Sequence, residues 1–126
     1  DLRDLINRPY SDRDTIVVRS NESLTVAYQR MKLYDVSQLP VMDGDRIVGI
    51  VDESDVLMKV YNNPCQFQCA VSEAMIANLD MVDVRTEIES LMPLFEKGHV
   101  AIVMDGEHFI GLVTRMDVLN YLRRRT

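Results

Sequence analysis

Apolar and polar positions along the first half of this chain predict five elements. Residues 15–18 are a β-branched run typical of a strand. Polar residues at 20–23 supply the chemistry of a helix start, and apolar residues follow at helical spacing: Leu24, Ala27, Tyr28 and Met31. Residues 38–42 and 46–51 predict two strands around the turn signal Asp43 and Gly44. Asp52 is placed to cap a second helix, whose apolar residues are Val56, Leu57, Val60 and Tyr61.

The same order returns in the second half. Residues 41–57 match residues 103–119 at a constant shift of 62 (103 − 41 and 119 − 57). Residues 79–84 predict the first strand of this copy, and its first helical face is Ile88, Leu91, Met92 and Phe95. A short amphipathic turn precedes each copy, at 2–6 and 71–75. The sequence therefore predicts two domains, residues 1–62 and 71–126, joined by a connector at 63–70.

Each repeat is expected to run strand, helix, strand, strand, helix, which is an α/β fold of the α+β kind. Units this small usually bury their apolar faces against a second copy rather than folding alone. We therefore expect two pseudo-twofold-related units packed sheet to sheet. Two equivalent clefts would then arise in the seam, and this favours a binding module over an enzyme.

Composition narrows the function classes. The 126 residues are 47% hydrophobic and 27% charged, as in an ordinary globular domain with one substantial core. A net charge of −6 disfavours nucleic acid as a partner, and the basic run at 123–125 is interpreted as a solvated helix end. No apolar stretch approaches the roughly 18 residues that span a membrane, and no signal peptide is recognised. We expect a cytoplasmic protein, and the missing initiator Met fits a fragment of a longer chain.

Sulfur-containing residues do not indicate a metal. Cys65 and Cys69 could share a metal if they lay on a helix, but no histidine stands near them in sequence and a closed zinc site needs four ligands. Two reduced thiols are the favoured interpretation, and no metal site is predicted. The eight Met residues stand at scattered core-like positions, which favours gap filling over a ligand cage.

The candidate binding chemistry lies at Thr114 and Asp117. On a strand-to-helix turn their hydroxyl and carboxylate would stand at a helix start, where free N–H groups favour a polar ligand. This pair suits the cis-diol of a ribose, and Arg115 could reach a phosphate or carboxylate at the far end. The same spacing is also an ordinary helix cap, so these two residues alone leave both interpretations open.

The repeat favours the ligand interpretation because the same loop recurs at Asp52 and Asp55. Asp52 stands where the second copy has Thr114. Two carboxylates in one turn repel phosphate and tolerate a cation, so the two predicted clefts are chemically unlike.

The histidines and hydroxyl residues predict no catalytic set. His99 stands just before a predicted strand, where it would either pack at the strand edge or line a cleft. His108 lies in a hairpin turn and is expected to be exposed. No nucleophile is paired with a base at a recognisable spacing, and no phosphate loop is present.

The repeated element order, the leading turns of the Val71–Met75 type and the hairpins ending in Gly, two apolar residues, Thr or Asp, and a later Asp resemble a tandem pair of CBS domains, a Bateman module. The likeness covers almost the whole chain. Four stretches further resemble the C-terminal regulatory region of a bacterial cystathionine β-synthase-like enzyme: residues 1–6, 36–41, 99–103 and 111–120.

This resemblance implies a regulatory domain without catalytic residues or a cofactor of its own. A catalytic domain that holds pyridoxal phosphate would precede it, so that the full-length protein would be a lyase. The resemblance also implies an adenosyl ligand in the cleft between the units, either S-adenosylmethionine or an adenine nucleotide such as AMP or ATP. Modules of this family commonly pair, so we expect a homodimer through the helical faces.

Site residues are carried over by position. Thr114 and Asp117 would hold the ribose in one cleft, with Arg115 and Met116 beside them. The adenine pocket of that cleft would be formed by Thr15, Ile16, Val36, Ser37 and Leu39. The mirror cleft would use Asp55 for the ribose, beside Asp52, and its base residues would be His99, Val100 and Ala101. Asp52 replaces the usual Thr or Ser, which weakens the second cleft.

Two rivals remain. A CBS pair with empty clefts would serve only as a scaffold that mediates oligomerisation, and clefts filled by bulky apolar side chains would favour it. An enzyme acting alone would need a catalytic set that the sequence does not offer.

Overall fold

The computed structural model describes residues 1–6, 10 and 15–126. The chain divides into two compact units. The first unit is Ile16–Leu79, and the second unit combines Asp1–Thr15 with Asp80–Thr126.

The first unit follows the predicted order of elements. Its sheet has the strand order β1-β2-β3, in which β1 is parallel to β2 and β2 is antiparallel to β3. The elements are β1 (Val18–Arg19), α1 (Leu24–Tyr34), β2 (Gln38–Asp43), β3 (Arg46–Asp52) and α2 (Glu53–Val60), followed by 3₁₀ helices at Pro64–Gln68 and Val71–Glu73.

The second unit repeats this topology in a sheet of order β4-β5-β6. The elements are β4 (Met81–Asp83), α3 (Met92–Glu96), β5 (Ala101–Asp105), β6 (His108–Val113) and α4 (Arg115–Arg124), with 3₁₀ helices at Leu2–Leu5 and Ile88–Leu91. The α-helix predicted from residue 88 begins only at Met92. Pro93 lies in its first turn, where a residue without an N–H is tolerated.

A proline explains why the first strands of the two sheets differ in length. In the second unit, the N–H of Ile102 donates to the carbonyl of Asp80 at 3.0 Å, and pairing starts with Met81 opposite Ile102. The equivalent of Ile102 in the first unit is Pro40, which has no N–H to donate. Pairing there starts one position later, so the strand predicted over 15–18 begins at Val18.

Each leading turn packs into the core formed by the other repeat. Residues 1–15 were assigned to the domain of the first repeat, yet Leu2 and Leu5 are buried in the core of the second unit, and the N–H of Leu2 donates to the carbonyl of Val84 at 2.9 Å. Conversely, Val71 is buried in the core of the first unit, and its N–H donates to the carbonyl of Glu22 at 2.8 Å. A single turn can bury its apolar side chains only against a sheet and its helices, and proximity in sequence does not decide which sheet that is.

Several helical apolar residues face solvent, contrary to prediction. Leu24, Ala27 and Met31 are buried on α1, but Tyr28 is exposed. On α2 the buried residues are Val56 and Val60, while Leu57 and the following Tyr61 are exposed.

The interpretation of the methionines as core gap fillers is wrong for four of them. Met31 and Met42 are buried, whereas the exposed ones are Met58, Met81, Met92 and Met116. Methionines are therefore as much a feature of the surface as of the core.

Replacing a leading-turn residue should destabilise the unit that receives it. Leu2→Ala removes a side chain that is 1% exposed, and we expect it to cost roughly 2–5 kcal/mol. Amide hydrogen exchange should show lost protection in 80–126. The twin change Val71→Ala should instead lower protection within 16–79. Loss of protection in the first unit alone after Leu2→Ala would contradict the assignment.

Candidate ligand-binding site

The junction of β6 and α4 forms a reciprocal helix cap. The hydroxyl of Thr114 accepts from the N–H of Asp117 at 3.3 Å. Asp117 Oδ2 in turn accepts from the Thr114 N–H at 2.8 Å and from the Thr114 hydroxyl at 3.0 Å. Both side chains are part-buried. The capping role predicted for these residues is confirmed. The uncharged hydroxyl of Thr114 also donates one hydrogen bond to the carboxylate of Asp117.

The cap leaves acceptor capacity on Asp117. An ionised carboxylate offers about four lone-pair sites, and both capping bonds that Asp117 accepts fall on Oδ2. Within the described ranges, Oδ1 has no hydrogen-bond donor from the protein. Arg115 and Met116 follow on the exposed first turn of α4. This helix start can therefore accept from a ligand hydroxyl and offer a cation nearby.

The matching junction in the first unit carries more negative charge. Asp52 Oδ1 accepts from the Asp55 N–H at 2.8 Å, and Asp55 Oδ2 accepts from the Asp52 N–H at 2.9 Å. Burial raises the pKa of Asp55, and the negative charge of Asp52 raises it further, against the lowering effect of the Asp52 N–H bond. Because a carboxylate stands at Asp52, where the second unit has the hydroxyl of Thr114, this helix start is the less suitable one for a phosphate.

The stretch 36–39 lies beside the start of α2. The carbonyl of Ser37 accepts from the N–H of Glu53 at 3.1 Å, and Leu39 pairs with Val51 in the sheet. Ser37 is exposed, and Ile16 and Val36 are partly buried. The side chain of Leu39 is fully buried in the core.

Residues 99–101 lie in the same way beside the start of α4. Ala101 pairs with Val113, the residue before Thr114, and the side chain of Ala101 is also fully buried. Leu39 and Ala101 were predicted to line the clefts, but their side chains belong to the cores. A small or apolar residue in the middle of a three-stranded sheet is covered by the helices, so only its backbone remains for a ligand.

Each unit thus brings together residues that the sequence assigned to different clefts. Thr114 and Asp117 lie beside 99–101, and Asp52 and Asp55 lie beside 36–39. Thr15 falls in the second unit and Ile16 in the first. The predicted combination of Thr114 and Asp117 with 36–39 draws on both units and stays a prediction.

His99 contacts a residue that the sequence analysis missed. Its Nδ1 lies 2.6 Å from Asp80 Oδ2, and the two side chains are half and one-third exposed. His99 therefore makes a polar pair instead of apolar packing at the strand edge. Asp80 could have been found from the repeat, because it stands where the first repeat has Ile16. His108 is exposed at the start of β6, as predicted.

The cysteines are free thiols. Cys65 is exposed and Cys69 is partly buried, and burial raises the pKa of the Cys69 thiol, which disfavours the reactive thiolate. Among the residues that the structure describes, no group of three or more His, Cys, Asp or Glu side chains could hold a metal ion. In the same ranges, no helix combines the length and the apolar character needed to cross a membrane.

The family model for the CBS domain matches residues 2–62 and 71–124. This chain belongs to the CBS-domain family. The tandem pair expected from the repeat is confirmed, and CBS domains are regulatory ligand-binding modules. The α/β fold is confirmed by solved CBS-domain structures: CBSX2, determined in complex with AMP, superposes with a TM-score of 0.82 at 23% identity, covering 98% of this chain and 96% of that one.

The curated relatives of this chain are proteins of different kinds. Hypoxic response protein 1 of Mycobacterium tuberculosis is 28% identical over 109 residues, covering 83% of this chain and 76% of that protein. An A-adding tRNA nucleotidyltransferase of Geobacter sulfurreducens is 28% identical over 102 residues, or 79% of this chain and 11% of the relative. Cystathionine beta-synthase of Dictyostelium discoideum is 25% identical over 115 residues, or 86% and 23%. The chain spans only a small part of the last two, and the relatives do not single out one attached enzyme.

Giving the start of α2 the Thr–Asp cap of α4 should reduce the repulsion between Asp52 and Asp55. Asp52→Thr removes the like charge and adds a hydroxyl donor, so we expect the pKa of Asp55 to fall. A raised folded-state pKa means that stability declines as pH rises from the ordinary Asp range through the raised value. The variant should show a smaller decline, because the burial of Asp55 remains. Carbon-13 NMR titration of the Asp55 carboxyl measures the change. Glu53→Gln, which removes an adjacent charge outside the cap, should leave the pKa of Asp55 in place; an unchanged pKa after Asp52→Thr would contradict the cause.

Proposed function

We propose that this CBS pair is a regulatory sensor of an adenosyl compound, either S-adenosylmethionine or an adenine nucleotide. Thr114 and Asp117 act as its ribose ligands in this proposal. The observation that carries it is the cap at the start of α4, which leaves Asp117 Oδ1 without a donor from any described residue, beside a neutral hydroxyl. A ribose presents two adjacent hydroxyl donors, which a carboxylate can accept.

Charge distinguishes the two ligand classes. The start of α4 offers free N–H groups and Arg115, which suit the phosphates of AMP or ATP. The acidic balance of the chain suits the sulfonium and ammonium of S-adenosylmethionine. AMP bound to CBSX2, a protein of the same fold, supports the adenine nucleotide. Asp52 and Asp55 form the weaker second site.

The proposed output is control of an attached enzyme in the cytoplasm. The cystathionine beta-synthase of Dictyostelium discoideum contains a matching region that covers 23% of its length, which supports a catalytic domain with pyridoxal phosphate attached to this chain. No residue of this chain is assigned to that cofactor. Ligand binding would shift the enzyme only as far as the ligand's affinities for the two states differ.

Titration calorimetry tests the sensor. The panel is S-adenosylmethionine, AMP, ADP and ATP, each added to the wild type and to Thr114→Ala/Asp117→Ala. We expect a saturable isotherm for at least one ligand and affinity about ten- to a hundredfold weaker in the double variant, because charge-assisted hydrogen bonds are lost.

Ser23→Ala is the matched control. Ser23 caps α1 by accepting from the Val26 N–H at 3.3 Å, so this variant also loses a helix cap, at a cost of about 1 kcal/mol in stability. Its affinity should equal that of the wild type. No binding of any of the four ligands at millimolar concentration would contradict the proposal. Equal affinity in the wild type and the double variant would contradict the ribose assignment.

A scaffold that mediates oligomerisation is the second candidate, favoured by exposed apolar side chains on α2 and α4. Leu57 and Met58 are 57% and 77% exposed, and Leu119 and Leu122 on α4 are 58% and 50% exposed. Leu119 and Leu122 are three residues apart and share one helix face. Large apolar side chains grouped in this way are typical of surfaces that bind a partner, and CBS domains commonly dimerise.

A charge on either helix should weaken a homodimer. We expect Leu57→Lys and Leu119→Lys to raise the dimer dissociation constant at least roughly tenfold, because a buried lysine lacks a partner. Asn120→Lys adds the same charge to an exposed polar position of α4 and should leave the dimer intact. Light scattering over a concentration series measures the mass, and a wild-type monomer at high concentration would exclude the scaffold.

A further inference from the structure

Asp80 and His99 form a side-chain pair at the end of the second sheet where Thr114 also lies. β4 and β5 are parallel, so Asp80 and His99, which precede them, lie at the same end of the sheet. β6 is antiparallel to β5, which brings its last residues and then Thr114 to that end. Both paired residues are also held by their backbone. The carbonyl of Asp80 accepts from Ile102, and the N–H of His99 donates to Leu94.

The first repeat serves as an internal control for this pair. The residues at the matching positions are Ile16 and Ser37, at the shifts of 64 and 62 that relate the two repeats. The apolar Ile16 cannot form a hydrogen bond of this kind with Ser37, yet the first unit builds a sheet of the same topology. The sheet topology therefore does not require Asp80 and His99 to form a pair, which favours a role for the pair at the surface.

The partner of His99 determines its tautomer. An ionised carboxylate can only accept hydrogen bonds, so the 2.6 Å contact with Asp80 Oδ2 requires a proton on Nδ1. In the neutral ring, Nε2 is then an acceptor. Within the described part of the chain, Nε2 has no hydrogen-bond partner, and the side chain is half exposed. In this neutral form the pair presents a fixed acceptor to a ligand.

We propose that Nε2 of His99 accepts a hydrogen bond from an amino group of the adenosyl ligand and that Asp80 is the positioning residue that fixes the tautomer. This assignment rests on the proposed function and adds a determinant of specificity to it. Two amino groups have the required chemistry: the 6-amino group of adenine and the ammonium of S-adenosylmethionine. Arg115 and the N–H groups of α4 are donors, so neither can select an amino group.

Paired ligands distinguish the two sources. AMP and IMP differ at the 6-position, where IMP has an oxo group, and S-adenosylmethionine and 5′-methylthioadenosine differ by the aminocarboxypropyl group that carries the ammonium. We expect the wild type to prefer the amino-bearing member of at least one pair. His99→Ala should reduce that preference roughly three- to tenfold, the value of one hydrogen bond. His108→Ala removes the other histidine, which lies at the opposite end of the same sheet, and should leave both ratios unchanged.

Nitrogen-15 NMR of the imidazole gives a readout that folding alone would not move. The neutral wild-type ring should show the proton on Nδ1, and Asp80→Asn should shift the population towards the tautomer protonated at Nε2 and reduce the same ligand preference. A wild-type ring protonated at Nε2 would overturn the assignment. Binding with both ratios unchanged in His99→Ala would overturn this assignment alone, whereas no binding by these four ligands, ADP or ATP would overturn the proposed function as well.

Discussion

The exchange of leading turns is the constraint on which both units depend. Leu2, Leu5 and Ile6 are buried in a core whose other residues begin at Val84, and Val71 completes the core that begins at Val18. Small units expose a large fraction of their apolar surface, so a few buried side chains are a substantial part of each core. Neither sequence repeat therefore carries a complete core in its own stretch of chain. The second unit is discontinuous along the chain and must bring its first residues back to a sheet formed about eighty residues later.

Local chemistry made much of this fold predictable. The hairpin turns were recognised from Asp and Gly, and Gly44 and Gly106 both adopt the left-handed φ of 61° that such turns require. Asp52 and Thr114 were recognised as caps from the residue three positions later, and both caps form. These features depend on a few neighbouring residues, which is why the sequence carries them plainly.

Features that depend on distant residues were not predictable in the same way. The destination of the leading turns, the burial of Leu39 and Ala101 and the pairing of Asp80 with His99 are each set by which strands become neighbours. The exposed methionines show the same limit, because helical spacing gives a face but not what covers it. The repeat offered partial help: its alignment shows an acidic Asp80 where the first repeat has Ile16, and His99 where the first repeat has Ser37.

The leading turn provides a route by which a ligand at Thr114 would act on the catalytic domain that we propose to precede this chain. The 3₁₀ helix Leu2–Leu5 contacts both β6 and α4, the two elements that meet at Thr114. Its backbone is bonded to Val84, and the guanidinium of Arg3 reaches Asp105 at 2.7 Å, so the turn is fixed to the sheet as well. A displacement of the start of α4 would therefore act on the Leu2–Leu5 helix and, through it, on the attached domain that we propose. Coupling of this kind requires two arrangements of the turn with different ligand affinities. The direct contact between the turn and α4 would let a ligand at Thr114 favour one of these arrangements.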